Sequence, residues 1–188
     1  MTLKRTVAPS VEPATVDEVK LDARIDGPEL DATIELLIKA ARQRCEDLTG
    51  RALITQTWQL ILDEFPVDGI RIGKLPIVSI TSIQYYDSIG TLQTLAADTY
   101  TLDADRLPGW IYEAGLNTWP SVRTEENSVI ITLVAGYGAA ASDVPAELRY
   151  WIRAQAAAAI QAQSTQTDAS VGMDFVNSLL DPYKLSHI

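Results

Sequence analysis

The hydrophobic period changes twice along this chain, and those changes limit what it can fold into. Over residues 28–48 the apolar positions recur every three to four residues: Leu30, Ile34, Leu37, Ala41, Cys45 and Leu48 form one stripe. That is the mark of an amphipathic helix. From about Thr55 to Val134 the period shortens to two. Val78-Ser79-Ile80-Thr81-Ser82-Ile83-Gln84-Tyr85 alternates and is rich in β-branched residues, which suits a half-buried strand. Trp58, Leu60 and Leu62 alternate with Gln59 and Asp63, and shorter strands are predicted at 70–72, 91–95, 100–102, 110–112 and 129–134. Turn residues separate them, among them Asp87-Ser88-Ile89-Gly90 and Pro108-Gly109. The helical period returns over 145–163, where Leu148, Ile152, Gln155 and Ala159 share a face with Trp151 beside them. The run Ala156-Ala157-Ala158-Ala159 has high helix propensity.

Short strands with turns between them point to an antiparallel sheet, not to alternating strand–helix units. The expected fold class is therefore α+β: long helices packed together, with an antiparallel β-rich subdomain at about 55–134 inserted between them. With 188 residues the chain has about one domain's length. A chain of that size buries roughly 70% of the surface it exposes unfolded, so a sizeable core is available.

Local signals mark the ends of elements. Thr15 with Glu18 three residues later spells a capping box for a helix ending near Asp22 or Arg24. Pro28 suits a first helical position, and Thr49-Gly50 supplies a left-handed stop. Residues 1–14 carry Pro9 and Pro13 and no periodicity, so they read as an extended arm. Residues 164–174 are small and polar, a linker. Phe175 to Tyr183 is predicted as a last short helix, stopped at Asp181-Pro182. The organisation expected is an arm (1–14), a main domain (15–163), and a linker with a C-terminal segment (164–188).

Charge and composition remove several functions. The net charge is −10. Segments 1–13, 14–49, 50–138 and 139–188 carry +1, −4, −5 and −2, so there is no Lys/Arg stripe of the kind that grips phosphates. No stretch approaches the roughly 20 apolar residues of a membrane span. The N-terminus has Lys4 and Arg5 but no apolar signal core, so synthesis and folding are expected in the cytoplasm. Cys45 is the one cysteine and lies on the apolar side of its helix, where a small buried hydrophobe is expected.

Candidate chemistry is sparse. The only histidine is His187, so a Ser-His or Cys-His pair is not expected and a histidine–cysteine metal site lacks ligands. Gly136-Tyr137-Gly138 has no downstream glycine and no Lys-Ser/Thr, so it reads as a tight turn and not a phosphate loop. Asp103/Asp105 and Glu125/Glu126 fall at predicted turns, where solvated charge is expected. Trp119-Pro120 lies in a loop and is either a core filler, the favoured reading, or a surface anchor. No catalytic residue, cofactor site or metal site is assigned.

Several segments line up with one family. The opening Leu3-Lys4-Arg5-Thr6-Val7-Ala8-Pro9, followed by Glu12-Pro13 and the Thr15-Val16-Asp17-Glu18-Val19-Lys20 helix, resembles head–tail connector (adaptor) proteins of tailed bacteriophages, a family also found in prophages and gene transfer agents. The most specific stretch is Arg42-Gln43-Arg44-Cys45-Glu46-Asp47-Leu48-Thr49-Gly50-Arg51-Ala52-Leu53-Ile54-Thr55-Gln56-Thr57-Trp58. Asn117-Thr118-Trp119-Pro120, Val134-Ala135-Gly136-Tyr137-Gly138 and Leu179-Leu180-Asp181-Pro182-Tyr183 are also similar. The resemblance covers essentially the whole chain, and residues 139–174 match least.

The resemblance implies a structural role and no enzymatic activity. It implies a ring, commonly of twelve subunits, below the portal protein at the head–tail junction of a virion. A downstream connector or tail protein would bind the other side, DNA would pass through the lumen without specific binding, and no membrane would be involved. It also implies that the C-terminal segment docks on the portal through Phe175, Val176, Leu179, Leu180, Pro182 and Tyr183. Docking is the favoured reading, and packing of the same apolar residues onto the chain's own helices is the alternative. The alternative function is a non-virion protein-binding module of α+β fold.

Overall fold

The structure is a computed structural model and describes residues 1–164 and 173–185. The chain divides into two units: Met1–Ala8 with Thr55–Gly136, and Pro9–Ile54 with Tyr137–Ile188.

The first unit is built from strands: β1 (Thr2–Val7), β2 (Gln56–Leu62), β3 (Ile70–Ile72), β4 (Ile77–Tyr86), β5 (Leu92–Thr94), β6 (Tyr100–Asp103), β7 (Gly109–Glu113) and β8 (Val129–Ala135). They form two antiparallel sheets, ordered β1-β2-β8-β4-β5 and β3-β7-β6. β8 is the central strand of the larger sheet, pairing Leu133 with Trp58 of β2 and with Ile80 of β4. Its period-two sequence buries every second residue: Val129, Ile131, Leu133 and Ala135 are inaccessible to solvent, as a strand with one covered face requires. Leu60 and Ile83 from the larger sheet and Ile70, Ile72 and Ile111 from the smaller are buried as well. The two sheets touch where Gly109 of β7 meets the Ile77 side chain of β4. Lys74 lies 4.7 Å from the Trp58 ring centroid, a cation–π contact.

The second unit holds four helices, α1 (Val16–Ala23), α2 (Asp31–Thr49), α3 (Ala146–Ser164) and α4 (Met173–Ser178). Their core includes Val19, Ile34, Ile38, Cys45, Leu148, Trp151, Ile152 and Ile160. The capping box at Thr15 forms: the Glu18 N–H donates to Thr15 Oγ1 (3.2 Å) and the Thr15 N–H to Glu18 Oε2 (2.9 Å). Gly50 closes α2 with φ of 68°, a left-handed conformation that costs glycine little.

The expected fold class needs correction. Long helices packed around an inserted β-rich subdomain do not form. The described residues hold four helices, none longer than 19 residues, and eight strands in two antiparallel sheets. The larger sheet also takes its edge strand, β1, from before the first helix, so the β structure is not a simple insert between helices. The pairing of β1 on β2 was hidden because Thr2, Lys4, Arg5 and Thr6 face solvent, leaving no apolar alternation to read.

Smaller shifts have local causes. α2 starts at Asp31, because Pro28 instead enters a turn in which its carbonyl accepts from the Asp31 N–H (3.2 Å). The buried ridge of α3 runs Leu148, Ile152, Ala156, Ile160, the i, i+4 spacing of one face, in place of the expected Gln155 and Ala159.

Each unit's core is testable by truncation. Ile131→Ala in β8 and Ile34→Ala in α2 each remove a fully buried side chain, and each is expected to cost about 2–5 kcal/mol. Denaturant unfolding would read this, and losses below about 1 kcal/mol at both positions would contradict the burial.

Candidate functional site

The stretch that carried the strongest resemblance, residues 42–58, owes its composition to a buried ionic cluster. Arg42 and Glu46 sit one turn apart on the core side of α2, with side chains only 7% and 3% accessible. Arg42 Nη1 donates to Glu46 Oε2 (2.9 Å), and Arg42 Nε donates to Glu12 Oε2 (2.7 Å) from the segment before α1. Glu46 Oε1 accepts the Leu53 backbone N–H (3.0 Å) just after the helix ends. Thr49 Oγ1 donates to the Cys45 carbonyl (2.7 Å). Ala52, Leu53 and Ile54 are fully buried beyond it. One helical face thus organises the chain on both sides of α2. Periodicity alone did not find Arg42 and Glu46, because charged residues on the core face break the apolar stripe. Their i, i+4 spacing is the one sequence signal that pointed to a pair.

A second ionic cluster joins α1 to α3. Arg153 grips Asp22 with two bonds (Nε–Oδ2 2.9 Å, Nη2–Oδ1 2.8 Å), and Glu18 lies 3.5 Å from Arg153 and 3.8 Å from Arg149. The Thr15 N–H lowers the Glu18 pKa most; partial burial opposes it, and Arg153 and Arg149 lower it further.

The C-terminal residues assigned to docking are split by the structure. Val176 (7% accessible) and Leu180 (2%) are buried in the helical core. Tyr183 packs against that core, and its hydroxyl donates to Glu147 Oε2 (3.1 Å) while its carbonyl accepts from Arg51 Nε (3.0 Å). Burial, then the bond to Glu147, raises the Tyr183 pKa. Asn177 Oδ1 accepts from Trp151 Nε1 (3.2 Å) and Gln155 Nε2 (3.1 Å), holding α4 on α3. Phe175, by contrast, is 68% accessible, Pro182 is exposed, and Leu179 is half-buried. Phe175 thus presents its ring to solvent from a helix whose neighbouring residues are anchored.

The remaining candidates lie apart. Cys45 is buried in the core. His187 falls outside the described residues. Asp103, the last residue of β6, accepts the Arg106 N–H through Oδ1 (3.2 Å), and Glu125 pairs with Arg123 (3.1 Å) in the loop before β8. At Gly138 a side chain would collide with the Asp143 carboxylate, which accepts the Ala140 N–H (2.9 Å), so this glycine serves a tight turn. Trp119 is half-buried and stacks on Phe65 at 4.9 Å. Among the described residues, no group of three His, Cys, Asp or Glu is placed to hold a metal ion. Nor is any helix there long and apolar enough to cross a membrane.

No family model matches the chain, and no curated protein matches it. Solved structures do. A chain in the virion of a native gene transfer agent particle superimposes with a TM-score of 0.81 at 24% identity, covering 100% of this chain and 97% of that one. A chain in the neck of an empty gene transfer agent particle, computed with C6 symmetry, gives the same values. A third, in the neck of a native particle computed with C12 symmetry, matches at 0.74 with the same identity and coverage. This chain has the fold of a gene transfer agent particle chain. The likeness spans both units and leaves little of either chain unmatched.

Two variants test the ionic clusters. Arg42→Met removes the buried cation that bridges Glu12 and Glu46 and is expected to cost about 3–5 kcal/mol, read from the denaturation midpoint; an unchanged midpoint would remove the cluster from any structural role. Because the folded pKa of Glu18 lies below its ordinary 4.5, its contribution is complete above 4.5 and is lost as pH falls through the folded value. Glu18→Gln is expected to flatten the acid side of the stability–pH curve, and an unaltered slope would contradict the assignment.

Proposed function

We propose that this chain is a structural adaptor at the head–tail junction of a tailed phage or gene-transfer-agent-like particle. Copies form a ring below the portal, and DNA passes through the ring. The observation that carries this reading is the end-to-end likeness to chains of gene transfer agent particles, two of them from necks computed with C6 and C12 symmetry. The order of segments that resemble connector proteins, from Leu3 to Tyr183, supports it independently.

Physical features suit the role. A ring uses two different faces of each subunit and needs a rotation that closes, and a chain with two separately built units has distinct faces to offer. A net charge of −10 repels DNA, so the genome slides without adhering. Portal docking falls to Phe175, Leu179 and Pro182, the C-terminal residues with accessible surface, while Val176, Leu180 and Tyr183 hold the segment in place. The tail-side partner is a downstream connector or tail protein, and the working location is the virion.

Deleting the gene is expected to leave filled heads without tails, counted by electron microscopy of lysates; normal tailed particles would favour the non-virion binding module instead. Phe175→Asp separates docking from packing. Its site is exposed, so stability should change by no more than about 0.5 kcal/mol, while incorporation into particles is lost. Leu180→Ala should instead cost about 2–5 kcal/mol. Full incorporation of Phe175→Asp would overturn the docking assignment.

A further inference from the structure

Among the described residues, the five-stranded sheet ends in two open edges, β1 and β5. Open edges expose unpaired backbone donors and acceptors and template pairing with another chain. Every residue of β5 is exposed, as is every residue of β1 except Leu3. Apolar side chains sit in or beside both edges, Val7 at one and Leu92 and Ile89 at the other.

The two edges differ in charge. Lys4 and Arg5 lie on β1, and no acidic residue occurs before Glu12. Around β5 the sign reverses; the one cation placed at the β4–β5 turn among the described contacts, Arg123 over the Tyr86 ring, is paired with Glu125. Asp87 and Asp98 flank it, and no Lys or Arg occurs between Lys74 and Arg106. Gln93 and the backbone N–H groups of Thr91 and Ile89 bond the Asp87 carboxylate and lower its pKa. A β1 edge meeting another β1 sets cations together, and a β5 edge meeting β5 sets Asp near Asp. Only β1 against β5 pairs opposite charges, and that pairing is heterologous, the type that generates rings.

We propose that a second copy of this chain adds its β1 to the open edge of β5, so that the larger sheet continues from one subunit into the next. The proposal rests on the ring reading above and names the contact that closes it. Strand direction follows from topology. All neighbours in the sheet are antiparallel and the strand number is odd, so β1 and β5 point the same way. A rotation about a ring axis preserves direction along that axis, and the intersubunit pair is parallel.

Disulfide trapping in the full-length chain tests this. Thr6→Cys is combined in turn with Leu92→Cys, Gln93→Cys and Thr94→Cys, so that one register fits; Cys45 is fully buried and does not compete. Ring formation is scored separately by electron microscopy of the wild-type chain, alone and on its particle neck. One double variant is expected to give an oxidation ladder ending in a closed ring, with each single variant monomeric on denaturing gels. Lys4→Glu with Arg5→Glu should weaken association about tenfold at low salt, and adding Asp98→Lys should restore it. Rings that form without any trapped pair overturn the edge contact and leave the ring reading standing. Dimers trapped by Thr6→Cys alone show a β1–β1 contact and overturn it too. Absence of both rings and trapping overturns the edge contact and the ring together.

Discussion

The helical unit depends on one buried cation. Arg42 is nearly sealed from solvent and is bonded to two carboxylates, Glu12 and Glu46. Taking such a charge out of water is expensive, and only good geometry with further hydrogen bonds offsets it. Here the offset comes from three directions: the segment before α1, the helix itself, and the Leu53 backbone after it. The cluster contributes position more than net energy. A planar guanidinium with donors at fixed angles can satisfy two carboxylates at once where an ammonium on a flexible stem has no such fork. The entry and exit of α2 are thereby tied to one point, and the fully buried run Ala52, Leu53, Ile54 starts from it.

The sheet unit solves a different problem. Its inner faces are dry and its strands are paired in register, but closure stops at β1 and β5. A protein that works alone usually blunts such edges with charge, proline or a covering element. Here the edges carry opposite charge, which blocks like-with-like pairing and leaves the mixed pairing open. The C-terminal segment has the same divided character, with Val176 and Leu180 buried and Phe175 exposed. Both units therefore bury enough apolar surface to fold and still present side chains whose burial requires another molecule. These surfaces are the ones that the proposed ring and portal contacts use.

Where local chemistry dictated structure, the sequence was legible. The Thr15–Glu18 box, the Gly50 stop and the alternation of β8 all read directly, because each rests on neighbours within a few residues. Legibility failed where partners are distant. β1 pairs with a strand fifty or more residues away, and its exposed polar side chains give no pattern. Arg42 and Glu46 look like surface charges until Glu12 and Leu53 are placed beside them. The fold class erred for the same reason: helical periodicity is conspicuous in sequence, whereas strand pairing is not, so the helices were given too large a share. The division of the C-terminal residues into anchors and exposed positions depended on where α4 meets α3. That is long-range information which a six-residue helix cannot encode alone.

In the proposed role, these subunits complete their surfaces by surrounding a passage for DNA. A cryo-electron microscopy reconstruction of the particle neck, from the strain that encodes this chain, tests it most directly. Density for both units is expected to repeat around the channel between the head vertex and the tail. A neck that lacks this chain, or holds it only away from the channel axis, would contradict it.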